Sequence, residues 1–219
     1  INRVISDDDI PYVGATSEGE AMAMAAGAWL CGSETLVMCQ NSGLGNAINP
    51  LTSLNWPFQI PSLMIVTWRG QPGLKDEPQH ELMGQITGKL LDNIKVGHRP
   101  FPRTESDIGP ALDEALGVMR ETNLPFAMIM EKDSIIDEPL SESPRPSRAP
   151  GEYRDVRQGG QQIRRIDVLE RVLSMLPNEA AVIATTGKCG RELFTLADRE
   201  QNLYQVGSMG GASAMGLGV

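Results

Sequence analysis

SLMIVTW, residues 62–68, is a short apolar run carrying β-branched side chains, the pattern of a buried strand. Two further runs of the same kind, TLVMC at 35–39 and PFAMIM at 125–130, alternate with helical periodicity around 17–31 and 105–122. Strand and helix in that alternation predict an α/β fold built on a parallel sheet. In open sheets of this type ligands bind where the carboxyl ends of the strands empty into Gly-rich loops. Residues 137–165, DEPLSESPRPSRAPGEYRDVRQGGQQIRR, are rich in Pro, Ser, Gly and charge and show no apolar period, so they read as an interdomain linker. Beyond them RIDVLERVLSML is an amphipathic helix, AAVIATTG and NLYQVGSMGG are strands running into turns, and residues 211–219 begin another helix. The expected organisation is a first domain at 1–136, a linker at 137–165 and the start of a second domain at 166–219.

The 219 residues are 41% apolar and 21% charged, ordinary for a globular chain with room for a sizeable core. A net charge of −9 argues against a nucleic-acid or anionic-membrane surface, while leaving room for a local basic pocket. Cys31, Cys39 and Cys189 are odd in number and lack CxxC or Cys/His spacing, so neither a disulfide framework nor a zinc site is expected, in keeping with a cytoplasmic protein. No run of 18 apolar residues occurs, and INRVISDDD has neither the basic start nor the apolar centre of a signal peptide. The chain opens on Ile1 and stops inside GGASAMGLGV, so both ends read as incomplete.

The stretch ATSEGEAMAMAAGAW, residues 15–29, places two carboxylates at the mouth of a helix that is apolar on nearly every face. Ser17-x-x-Glu20 fits a capping box, which accounts for Glu20. Glu18 sits in the first turn, where the helix dipole favours an anion, and could be a solvated side chain. Because residues 21–29 leave no polar stripe, the helix is expected to be buried and Glu18 becomes a candidate acid. In NSGLGNAINPL, residues 41–51, Gly43 and Gly45 would let backbone approach a ligand, but G-x-G-x-x-G is not completed because position 48 is Ile48. TTGKCG, 185–190, fails as a Walker A loop since Val182 stands where a Gly is needed, yet Gly187 and Lys188 join a strand to a helix, a natural anion site with Arg191 one turn along. His80 lies in the polar stretch KDEPQHELMGQITG, 75–88, expected to be a loop; His98 has no visible partner, and Arg69 ends a strand where it could hold a carbonyl or a substrate. Neither G-x-S-x-G nor HExxH occurs.

Taken in order, these pieces resemble the thiamine-diphosphate-dependent 2-oxoacid decarboxylases. SEGEAMAMAAGAW is similar to the family's Asn/His-Glu-x-x-Ala-x-x-x-Ala-x-Gly helix, NSGLGN to its Ser-Gly-Pro-Gly turn, and QHELMG to its His-His-x-x-Gly segment with Gln79 in place of the first His. Residues 184–218 resemble the start of its diphosphate-binding domain, and the resemblance runs along most of the chain. It implies two thiamine-diphosphate-binding-type domains with parallel sheets flanked by helices and no middle domain. That short arrangement resembles the branch whose 2-oxoacid carries a second anionic group, a phosphonate or alternatively a sulfonate.

The resemblance further implies that Glu18 hydrogen-bonds N1′ of the cofactor's aminopyrimidine and shares its proton. The carbonyl of Gly207 would accept from the 4′-amino group, and Met209, between Ser208 and Gly210, would wedge under the cofactor. Thr186 and Gly187 would approach the diphosphate, Gly43, Gly45 and Asn46 would line the site, and His80, Lys188 and Arg191 would grip the small anionic 2-oxoacid, with His80 also in the chemistry. Thiamine diphosphate and Mg²⁺ are the implied cofactors; the family's Gly-Asp-Gly metal motif is expected beyond Val219, so no metal ligand is named. A homodimer or homotetramer is implied, with the pyrimidine-binding domain of one subunit facing the diphosphate-binding domain of another, and with no nucleic-acid or membrane partner. A catalytically idle, decarboxylase-like interaction subunit is the alternative of another class.

Overall fold

The computed structural model describes residues 2–141, 151–155, 159–160, 162–185, 187–208 and 210–219. After α1 (Asn2–Ile5) come α2 (Glu18–Leu30), β1 (Leu36–Gln40), a 3₁₀ turn (Asn41–Gly43), α3 (Leu44–Pro50), a π turn (Leu51–Asn55) and α4 (Trp56–Phe58). The chain continues through β2 (Leu63–Thr67), a 3₁₀ turn (Pro78–His80), α5 (Glu81–Asn93), β3 (Gly97–Pro100), α6 (Glu105–Thr122) and β4 (Phe126–Met130). Past residue 164 it forms α7 (Arg165–Leu173), β5 (Val182–Thr185), α8 (Lys188–Leu196), β6 (Asn202–Gln205) and α9 (Ala212–Gly218). The first sheet has the order β1-β2-β4-β3 and the second pairs β5 with β6; every pairing is parallel. An α/β fold of parallel sheets flanked by helices is therefore present. Residues of 137–165 that are described carry no helix or strand before Arg165.

The three apolar runs become β1, β2 and β4, in register Gln40–Thr67 and Thr67–Met130, so their carboxyl ends lie side by side. Two elements depart from the sequence reading. β3 is four residues, GHRP, at the sheet edge, where Pro100 and its missing N–H are tolerated. Residues 81–88, expected in a polar loop, are the first half of α5. Its buried face is Gly84, Thr87 and Leu91, correctly spaced for a helix, but two of the three are not apolar and hide the period.

Helix α2 owes its lack of a polar stripe to burial on two sides. Met22 and Ala25 pack on the first sheet with Val37, Leu44, Met64 and Val66, while Ala26 packs with Leu54, Ile60 and Met215 of α9. Small residues set the approach of the second pair. A Cβ at Gly27 would lie 2.1 Å from the carbonyl oxygen of Met215, and one at Gly218 would lie 2.1 Å from that of Met24. The C-terminal helix thus docks against α2 of the same chain at backbone distance.

Candidate active site

Glu18 opens α2 and Ser17 caps it, the Ser17 Oγ accepting from the Glu20 N–H at 3.2 Å. The expected capping box is displaced by one residue: the Glu20 carboxylate accepts from the N–H of Thr16 at 2.5 Å and from its hydroxyl. Those hydrogen bonds from Thr16 hold the Glu20 carboxyl below the ordinary range. Glu20 is consumed by the cap; Glu18 is not. The half-buried Glu18 carboxylate accepts from Asn46 Nδ2 at 2.8 Å through Oε2, and among the described residues no other donor reaches it.

The same carboxylate lies against the turn that follows β1. A Cβ at Gly43 would fall 2.0 Å from Glu18 Oε1 and 2.2 Å from its carboxyl carbon, so position 43 has no room for any side chain while Glu18 stays in place. Gly45 lies in α3 with open space around it, and no close approach calls for a glycine there. Cys39, near the end of β1, feels the carboxylate: burial first, and then the negative charge of Glu18, push its thiol up to about 12. Alkylation at about pH 8 is expected to label exposed Cys31 quickly and to spare Cys39 until denaturant is added, read by peptide mass spectrometry. Labelling of native Cys39 at the rate of Cys31 would contradict the packing.

Across from the start of α2 stands the turn after β6. Gly207 (φ 74°), Ser208 (φ 44°) and Gly210 (φ 86°) adopt left-handed backbone, and the Gly211 N–H donates to the Ser208 carbonyl at 2.7 Å. A Cβ at Gly207 would fall 2.0 Å from the carbonyl oxygen of Ser53, which seats the turn on the π segment between α3 and α4. A cleft of about 490 Å³ separates the two sides, with Ser17, Gly19 and Asn46 on one and Ser208, Gly210 and Gly211 on the other. Glu18 itself is not on its wall; Asn46 is, and its amide joins the cleft to the Glu18 carboxylate. Of the remaining expected residues, Met209 and Thr186 lie outside the described residues. Gly187 (φ 95°, ψ −145°) caps α8 in a conformation suited to glycine. Lys188 and Arg191 are exposed on the first turn of α8, Arg191 donating from Nε to the Gly187 carbonyl at 3.2 Å, and neither lines this cleft.

His80 stands at the carboxyl end of the neighbouring strand β2, as the residue preceding α5, inside a network the sequence reading did not foresee. Buried Asn41 joins the two strand ends: its Nδ2 donates to the Arg69 carbonyl at 2.8 Å and its Oδ1 accepts from the Arg69 N–H at 3.1 Å. Arg69, read from the sequence as holding either a carbonyl or a substrate, instead holds Asp76: Nε donates to Oδ2 at 2.9 Å and Nη2 to Oδ1 at 2.5 Å. Asp76 also accepts from the N–H groups of Gly70 (2.7 Å) and Glu77 (2.8 Å), and it lies 3.2 Å from His80 Nδ1. The Arg69 guanidinium, followed by those backbone donors and His80, holds the Asp76 carboxyl far below the ordinary carboxylate range. A carboxyl lowered on folding stabilises the native state fully above about pH 4 and loses that contribution as pH falls. The stability gap between wild type and Asp76→Asn is therefore expected to close as pH falls below about 4, measured by urea unfolding.

A second cleft, of about 570 Å³, opens at the carboxyl ends of β2 and β4 beside Arg69, Asp76 and Glu131. Among the described residues no group of three or more His, Cys, Asp or Glu could hold a metal ion, and no helix is long and apolar enough to cross a membrane. The Glu18 carboxyl suits N1′ of an aminopyrimidine in one respect, since its Oε1 has no donor among the described residues.

No family model matches the chain. It is 49% identical over 222 residues to the phosphonopyruvate decarboxylase of Streptomyces viridochromogenes, an alignment covering 100% of this chain and 56% of that protein. Against the phosphonopyruvate decarboxylase of Streptomyces hygroscopicus it is 47% identical over 221 residues, covering 100% and 55%. Against sulfopyruvate decarboxylase subunit alpha of Methanocaldococcus jannaschii it is 36% identical over 132 residues, covering 60% of this chain and 76% of that subunit. The chain thus spans about half the length of the two phosphonopyruvate decarboxylases and three quarters of the alpha subunit. On these identities and coverages, the chain belongs to the thiamine-diphosphate-dependent 2-oxoacid decarboxylases, in the branch of the phosphonopyruvate and sulfopyruvate enzymes.

Proposed function

We propose that this chain is the site-bearing part of an enzyme that decarboxylates phosphonopyruvate, without oxidation, to phosphonoacetaldehyde and CO₂. The observation that carries the reading is Glu18: a half-buried carboxylate fixed through Oε2 by Asn46, crowded against Gly43, with Oε1 left to share a proton. Thiamine diphosphate, when bound, supplies the electron sink that lets a 2-oxoacid lose CO₂. Glu18 would donate to and recover a proton from N1′ of the aminopyrimidine, and Asn46 would keep the carboxyl from turning away. The carbonyl of Gly207 would accept from the 4′-amino group, with Ser208 and Gly210 holding the turn and Met209 supporting the cofactor from below. Gly187 and Thr186 would approach the diphosphate, and Gly43 to Asn46 would close the opposite side. His80, Lys188 and Arg191 would meet the anionic substrate. In this reading residues 1–136 bind the pyrimidine side, 137–165 link, and 166–219 begin the diphosphate-binding side; the enzyme works as a homodimer or homotetramer and uses Mg²⁺.

The similarity to a sulfopyruvate decarboxylase alpha subunit favours sulfopyruvate as the second candidate substrate. Steady-state CO₂ release from both acids, with the full-length protein, thiamine diphosphate and Mg²⁺, separates the two. The proposal expects kcat/KM for phosphonopyruvate to exceed that for sulfopyruvate by about 10-fold or more, a difference of about 1.4 kcal/mol in transition-state binding. A reversed ratio would move the assignment to sulfopyruvate. No release from either acid would replace it by the idle interaction subunit.

A further inference from the structure

Asp76 is tied down by four separate groups, and His80 is the one of them that can change its protonation. The Arg69 guanidinium and the Gly70 and Glu77 N–H groups all donate to this carboxylate, so it is ionised and can only accept. Its contact with His80 Nδ1 at 3.2 Å is then a hydrogen bond only if Nδ1 carries the proton. Both side chains are largely buried, His80 13% and Asp76 17% exposed, so few other rotamers or water partners compete.

The backbone around them is equally constrained. A Cβ at Gly70 would lie 2.0 Å from the His80 carbonyl oxygen, and one at Gly84 would lie 1.7 Å from that of Gly70, so the loop and the start of α5 meet at contact distance. Through Arg69 the cluster is joined to Asn41, two residues before the Gly43 that packs on Glu18. Imidazole and Glu18 carboxylate therefore stand at the carboxyl ends of adjacent parallel strands of one sheet.

We propose that Asp76, itself held by Arg69, is the positioning residue for His80. It fixes the neutral imidazole with its proton on Nδ1 and leaves Nε2 unprotonated, the nitrogen that would meet the substrate in the decarboxylase reading, His80 lining neither of the two clefts described above. The inference about substrate rests on the decarboxylase reading above; the inference about the tautomer does not.

The test is a long-range ¹H–¹⁵N correlation spectrum of the ¹⁵N-labelled full-length protein at about pH 8.5, above the ordinary imidazole range. The His80 ring is assigned by its loss in His80→Gln. Wild type is expected to show the Nδ1–H pattern, and Asp76→Asn to show it replaced by Nε2–H. In the same variant kcat for the 2-oxoacid should fall about 10-fold or more while KM changes by less than about 3-fold, and Asp76→Glu should recover part of both signals. An Nε2–H pattern in wild type overturns the proposal without any variant having to fold. So does an Asp76→Asn protein that turns over like wild type. If wild type releases no CO₂ from either acid, the decarboxylase reading fails separately, and the tether is then judged by the spectrum: loss of the Nδ1–H pattern in Asp76→Asn supports it, and persistence overturns it.

Discussion

Glu18→Gln is expected to lower decarboxylation by about 100-fold or more while leaving thiamine diphosphate affinity within a few-fold of wild type. The substitution keeps the size of the side chain. Its amide oxygen can still accept from Asn46 Nδ2, and the fit against Gly43 is retained, so the melting temperature should stay near that of wild type. What is lost is the group that can give a proton and take it back. Cofactor titration by calorimetry, with single-turnover CO₂ release on the same samples, reads the two effects separately. Equal losses in binding and turnover would make Glu18 a binding residue, and unchanged turnover would remove it from the site.

Gly27→Val is expected to have a large effect on the structure. Position 27 is where α2 touches α9, and the missing Cβ would lie 2.1 Å from a main-chain oxygen of Met215, which cannot rotate aside. Valine there must push the C-terminal helix away from α2. The expected cost is about 2–3 kcal/mol by the usual scale of overpacking, with the cleft between Ser17 and the 208–211 turn widened and cofactor affinity reduced at least about 10-fold. Urea unfolding and cofactor titration measure the two parts. Wild-type stability in Gly27→Val would mean that the helices do not meet as described.

Much of the fold could be read from the sequence because β1, β2 and β4 each carry a short apolar run, with Val37, Met64, Val66 and residues 126–129 buried in the core. The same logic fails for α5, whose inward face uses Gly84 and Thr87 because backbone and the Asn41 side chain come close there. It fails again for β3, an edge strand with polar residues and a proline. Glu18 stood out because Ser17 and Glu20 explained each other as a cap and left it over. Its partner could not be found that way: Asn46 is 28 positions distant and meets Glu18 only through the packing of α2 and α3. The Asp76–His80 spacing of four was open to view, but only the fold brings Arg69 and two backbone donors onto the same carboxylate. Lys188 and Arg191 drew attention as cations at a helix start, and the structure leaves both exposed.

The most direct measurement follows the proton that Glu18 is proposed to move: deuterium exchange at C2 of thiamine diphosphate, by ¹H NMR, with the full-length protein and with Glu18→Gln. Wild type is predicted to speed the exchange far above that of free cofactor, and Glu18→Gln to bring it back near the free rate while the cofactor remains bound. Equally fast exchange in the two proteins, at matched cofactor occupancy, would contradict the role of Glu18 and with it the proposed site.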